Sequence, residues 1–113
     1  FIIEVESFLT LNQIMENHKI NAAIQLLPLS NNIDKYKIID EAIVAIKASG
    51  LNYVVCPFET VVEGNFKEVM QLIENIKNTA LQGQNEEIIL NLKLHCNSKK
   101  SLFIDDKIGN YKA

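Results

Sequence analysis

The stretch NYVVCPFETVVEG, residues 52–64, decides the fold. Two short runs rich in β-branched residues, 53–56 and 60–62, flank Pro57, Phe58 and Glu59. Such side chains favour a pleated strand, so the stretch reads as two consecutive antiparallel strands. A minimal hairpin would place Asn-Gly or Asp-Gly at the join. Here Pro57 ends the first strand, and the join is expected to be longer than a minimal turn. Phe58 should turn inward, and Glu59 and Thr60 should open the next strand.

Upstream, AAIQLLPL (22–29) reads as a buried strand that Pro28 terminates, because proline has no ladder donor. SNNID (30–34) is loop chemistry, with Asn32 or Asp34 as helix N-cap. A helix to about Ser49 presents Ile39, Ala42, Ile43 and Ile46 as an apolar stripe, and Gly50 stands where a left-handed cap is wanted. Downstream, Asn65 and Glu68 form the pattern of a capping box. The helix they open carries Val69, Leu72, Ile73, Ile76 and Ala80 on one face and stops by Gly83. Residues 86–95 then alternate, with Ile88, Leu90, Leu92 and Leu94 on one side and Ile89, Asn91, Lys93 and His95 on the other. The tail SLFIDDKIGNYKA (101–113) suggests a short helical turn or a loose extension.

The order β-α-β-β-α-β over residues 21–96 predicts an α+β, ferredoxin-like domain over 21–113: a four-stranded antiparallel sheet with two helices on one face. In that topology the strand order is 4-1-3-2. One sheet face and two edges are left uncovered, which predicts self-association as a dimer or tetramer. Residues 1–20 read as an N-terminal extension of unknown role. Phe8, Leu11, Ile14 and Met15 recur at helical spacing there, although a segment packing on a neighbouring subunit or an expression remnant fits equally.

At 113 residues, 48% hydrophobic and 22% charged, the chain has the make-up of one small globular domain. Its net charge of −3 argues against a binder of phosphate backbones, so no nucleic-acid partner is expected. All 11 basic residues are lysine, which removes the two-pronged guanidinium grip on phosphate or carboxylate. The two cysteines, Cys56 and Cys96, fall on opposite edge strands of the predicted sheet and are expected to be reduced. Two cysteines make neither a disulfide framework nor a zinc site, and no metal or cofactor is expected. No apolar run reaches the ~20 residues of a membrane span. The apolar start carries Glu4, Glu6 and Glu16 and no basic flank, so a cytoplasmic protein is the simplest expectation.

The known uses of this topology can be tested against residues. An RNA-recognition sheet needs stacking aromatics on its central strands, where this chain has Ala23, Gln25, Leu27, Val61 and Glu63. A metal chaperone needs Cys-x-x-Cys after the first strand, where this chain has PLSNNID. An acylphosphatase-type enzyme needs an arginine. With His18 and His95 as the two histidines, no acid–base or nucleophile grouping is legible, and catalysis is not expected.

Ser49, Gly50, Leu51, Tyr53, Val55, Pro57, Thr60, Glu63 and Gly64, following a strand that ends in proline and preceding NLKLHCN, match in order the core of one known family. The chain resembles the YkoF-like thiamine-binding proteins over roughly residues 22–111. The resemblance implies a ferredoxin-like fold, assembly as dimers or tetramers, and binding of thiamine or its hydroxymethylpyrimidine part without reaction. A structural or regulatory oligomer with no small ligand is the alternative. Cys56 stands where the family commonly has a small residue, which narrows any pocket beside it.

Thiamine carries a fixed thiazolium cation and an aminopyrimidine edge. A carboxylate offsets the first, and amide or hydroxyl groups meet the second. The candidate ligand-binding residues are therefore Gln25, Glu59, Thr60 and Glu63. Each also has a plainer reading. Gln25 can bond across a subunit interface from the outer sheet face, Glu59 can be an exposed acid, Thr60 a strand former tied to backbone, and Glu63 a residue shaping the strand end.

Overall fold

The computed structural model describes residues 15–111, and within them the predicted order holds. Strand β1 spans Ile20–Pro28, helix α1 Lys35–Ala48, β2 Asn52–Val55, β3 Thr60–Gly64, α2 Phe66–Ala80 and β4 Ile88–His95. A short helix α3, Ile104–Ile108, and a 3-10 turn, Gly109–Tyr111, follow. The four strands form one antiparallel sheet in the order β2-β3-β1-β4, which is the ferredoxin-like arrangement. The helix expected on Phe8, Leu11 and Ile14 lies outside the described residues; Met15 itself sits in a helical turn over residues 15–17.

Both helices begin where their caps place them. Asp34, not Asn32, caps α1, its carboxylate accepting from Lys37 N at 3.1 Å. Asn32 instead takes the left-handed conformation in the preceding turn, φ 58°. At α2 the capping box is complete, with Asn65 Oδ1 accepting from Glu68 N and Glu68 Oε1 accepting from Asn65 N, each at 2.9 Å. We expect Asn65→Ala to lower stability by about 1 kcal/mol in urea unfolding, with Asn65→Ser retaining most of it.

The core lies between the helices and one sheet face. Ile20, Ala22, Ile24 and Leu26 of β1 and Val62 of β3 meet Ala42 and Ile46 of α1 and Val69, Leu72, Ile76 and Ala80 of α2. The last four repeat at three- and four-residue spacing, the buried stripe of an amphipathic helix. Asn85, 2% exposed, donates its side-chain amide to Ala80 O and so satisfies a carbonyl at the end of α2.

The opposite sheet face is not bare along its whole length. The chain after β4 turns back over one end of it: Leu102 N donates to Lys19 O at 2.9 Å, Asn21 Nδ2 to Leu102 O at 3.0 Å, and Ile104 N to Glu63 Oε1 at 2.6 Å. Leu102 and Ile104 are buried as a result. The tail is thus not loose, and it holds the expected helical turn at Ile104–Ile108. It is a strap fixed to β1 and β3, with Lys107 Nζ also 2.6 Å from His95 Nδ1.

The join between β2 and β3 is tighter than its sequence suggests. Cys56 N donates to Glu59 O at 2.9 Å, carrying the ladder one pair past Val55–Thr60 and leaving Pro57 and Phe58 as the tip. Phe58 does not turn inward; it is 84% exposed. As one of two tip residues beyond the last ladder pair, Phe58 has no strand neighbour to cover it.

Candidate functional site

The strands are unequal in length, and that inequality makes the site. β1 runs nine residues and β3 five. Their ladder stops at Ile24–Thr60, while β1 continues along β4 to Pro28. Past Ile24, β1 therefore faces the hairpin tip across a gap with no strand in it. A hollow of about 290 Å³ occupies this place. Ile39 and Ile43 of α1 line it, which explains why they are only half buried although they belong to the helix's apolar stripe.

Three of the four candidate residues meet here. Gln25, Glu59 and Thr60 all line the hollow. Strand alternation puts Thr60 on the helix side and Gln25 and Glu59 on the other, so the hollow is bordered by residues of both faces. Thr60 is buried, at 7% exposure, and its hydroxyl has no hydrogen-bond partner among the described residues. The Glu59 carboxylate is likewise unengaged among them. Gln25 does have a partner: its Oε1 accepts from Asn91 Nδ2 at 3.0 Å, across the β1–β4 ladder. That bond fixes the amide within the subunit and leaves its own NH₂ group available.

On the open sheet face a second, shallower groove of about 260 Å³ is lined by Ala23, Gln25, Glu59, Asn91, Leu92 and Lys93. Gln25 and Glu59 border both spaces. The result is an apolar recess whose polar rim carries a carboxylate, two amides and, on the groove side, the Lys93 ammonium. Such a site suits a small flat molecule with an apolar body and a polar or cationic edge.

Glu63 is not part of this grouping. It lies at the other end of β3, buried, where it accepts from Ile104 N under the strap. Sequence reasoning offered it as a ligand group or as a residue shaping the strand end, and had no means of seeing its partner, 41 residues away. Asn21 was missed altogether. It is 4% exposed, with Nδ2 bonded to Leu102 O and Oδ1 unpartnered among the described residues.

Cys56 lines the hollow, half buried, with Sγ 3.8 Å from Val54 O; Cys96 is exposed, and both are free thiols. Among the described residues no cluster of three or more His, Cys, Asp or Glu is placed to hold a metal ion. None of their helices is long and apolar enough to cross a membrane.

Comparison with known proteins agrees with the fold and the resemblance. A family model described as thiamine-binding protein matches residues 22–112. A UPF0045 protein of Clostridium perfringens is 24% identical over 92 residues, covering 81% of this chain and 96% of that protein. Among solved structures, a domain of unknown function from Bacillus cereus superposes with a TM-score of 0.80 at 23% identity, covering 87% of this chain and 94% of that one. A Thermotoga maritima protein assigned provisionally to thiamine biosynthesis or salvage superposes at 0.75 with 26% identity, covering 83% and 99%. A Streptococcus pneumoniae protein, 34% identical, superposes at 0.68 and covers 80% and 98%.

Proposed function

The chain belongs to the thiamine-binding protein family, and from that premise we propose that it binds thiamine or its hydroxymethylpyrimidine part in the hollow at the end of the β1–β3 ladder, without catalysis, as a cytoplasmic homo-oligomer. One observation carries the reading: Gln25, Glu59 and Thr60 converge on a single recess, and the Glu59 carboxylate and Thr60 hydroxyl have no partner among the described residues. Unpaired polar groups beside an apolar wall are what a ligand with a hydrogen-bonding edge satisfies, whereas a purely structural site pairs its own groups. The Thermotoga relative's assignment to thiamine biosynthesis or salvage supports the same ligand class.

Self-association belongs to this proposal. Leu27 and Ile89 are neighbours on the open face, with 37% and 44% of their surfaces exposed. A second subunit covering them would also border the open-face groove.

Thermal unfolding with thiamine, hydroxymethylpyrimidine and unrelated amines tests the reading. Binding to the native state raises stability by RT ln(1 + [L]/Kd), so each tenfold rise in ligand above Kd should add about 1.4 kcal/mol. A response to unrelated amines equal to that for thiamine and the pyrimidine would remove the proposal. Recovery of either ligand chemically altered would remove its non-catalytic part.

A further inference from the structure

We propose that the main chain of Leu26 reads the ligand's heterocyclic edge, its N–H and C=O acting as an adjacent donor and acceptor. The inference rests on the ligand class proposed above and adds the element of the site that recognises it. The argument comes from strand register. Leu29 N donates to Glu87 O at 2.9 Å, in line with the Pro28–Ile88 pairing, so odd-numbered residues of β1 direct their main-chain groups to β4. Even-numbered residues then direct theirs to β3. The hairpin agrees independently: Cys56 N bonds Glu59 O, which turns the odd residues of β3 towards β2 and leaves Thr60, Val62 and Gly64 facing β1.

Ile20, Ala22 and Ile24 thus find their partners in Gly64, Val62 and Thr60. The next position on that side is Leu26, and the residue that would complete its pair is Phe58. Phe58 is the exposed tip residue, outside the ladder, and no hydrogen bond joins it to Leu26 among the described residues. Leu26 is itself a buried residue that lines the hollow. Buried main-chain groups are nearly always paired, so an unpaired N–H and C=O directed to the gap mark a place for an incoming partner. Pro28 occupies the following position on that side and has no N–H to offer. One donor and its neighbouring acceptor are therefore presented beside an apolar wall, in the manner that an open strand edge offers to an added strand.

The complementary ligand is a planar heterocycle with a ring-nitrogen acceptor next to an amino donor. Leu26 N–H donates to the ring nitrogen and Leu26 C=O accepts from the amino group, while Thr60 Oγ1 and the free NH₂ of Gln25 lie on the same recess for further polar atoms. Because the main chain does the reading, the contact does not depend on which apolar side chain stands at position 26.

Amide-resolved hydrogen exchange on the full chain tests this, with 4-amino-5-hydroxymethyl-2-methylpyrimidine, its 4-methyl counterpart lacking the amino group, and thiamine as probes. In the free protein the Leu26 amide should exchange at least tenfold faster than those of Ile24 and Leu27. The aminopyrimidine should slow Leu26 at least tenfold, saturably, and the 4-methyl counterpart should bind at least tenfold more weakly. A Leu26 amide already as protected as its neighbours, or unaltered when the aminopyrimidine binds, overturns the inference. Thiamine binding with Leu26 unaltered removes this inference and leaves the functional reading standing. Protection by the pyrimidine with no response to thiamine separates the two in the other direction: the edge recognition stands and vitamin binding falls. Failure of all three probes to bind removes both.

Discussion

Glu63→Ala should lower the free energy of unfolding by about 3 kcal/mol in urea, the largest loss expected from any single polar side chain in the domain. Glu63 is 8% exposed, and its carboxylate accepts from Ile104 N at 2.6 Å. A hydrogen bond to a charged group contributes about 1.5–3 kcal/mol, and a buried N–H left without an acceptor costs a further 1–3 kcal/mol. The bond also seats the strap. Ile104 is 3% exposed and Leu102 9%, and both are held down through Glu63, Asn21 and Lys19. Loosening the strap returns apolar surface to water at about 25 cal/mol per Å². Partial fraying of the strap in the variant limits the total, because water then reaches the orphaned N–H.

Glu63→Gln keeps an acceptor and loses the charge, so roughly half the effect should remain. Ile104→Ala removes the strap's deepest side chain, and the double variant should fall short of the sum of the two singles because both changes release the same segment. A Glu63→Ala protein within 0.5 kcal/mol of the parent would show that the strap contributes nothing. The same variants settle the ligand question for this residue. If Glu63 only anchors the strap, Glu63→Gln should bind thiamine as the parent does.

The parts of this fold that were legible in the sequence are those specified within a few residues. Asn65 and Glu68 are three apart and announce their helix directly, and the alternation of residues 88–95 assigns every β4 side chain to its face. The family resemblance rests on residues of the same kind, gathered between Ser49 and Gly64. What escaped the sequence depends on separation. The Glu63–Ile104 and Asn21–Leu102 bonds span 41 and 81 residues, and no local pattern encodes them. Phe58 was misplaced for a related reason: proline beside an aromatic marks a break, but whether the aromatic meets a core depends on how far the partner layer extends. The hollow carried one signal that length counting could have found. A first strand of nine residues paired with a third of five must outrun it, and the ladder's end falls at Thr60, beside two of the candidate residues. Gln25 was legible as a candidate because its amide stands within the otherwise apolar run 22–29. Its partner Asn91 became evident only with the β1–β4 register.

Glu59→Gln should weaken thiamine by about 30-fold while leaving hydroxymethylpyrimidine within a factor of three. Two unit charges ~4 Å apart attract by about 4 kcal/mol at an effective dielectric of ~20. Glu59 is only half buried, so water screens part of this and roughly 2 kcal/mol, or about 30-fold, is the reasonable share. The uncharged pyrimidine has no cation to lose, and glutamine keeps the side chain's length and one acceptor. Lys93 sharpens the test, because its ammonium lines the same groove as Glu59 and opposes a bound cation. Lys93→Met should therefore strengthen thiamine binding several-fold, again sparing the pyrimidine, and both shifts should shrink as salt is added. Titration calorimetry at two ionic strengths reads all four combinations. Equal weakening of both ligands by Glu59→Gln would mean that the acid shapes the recess and does not face the charge. A thiamine affinity indifferent to both substitutions would place the thiazolium outside the groove, with the pyrimidine edge as the only part of the vitamin the protein grips.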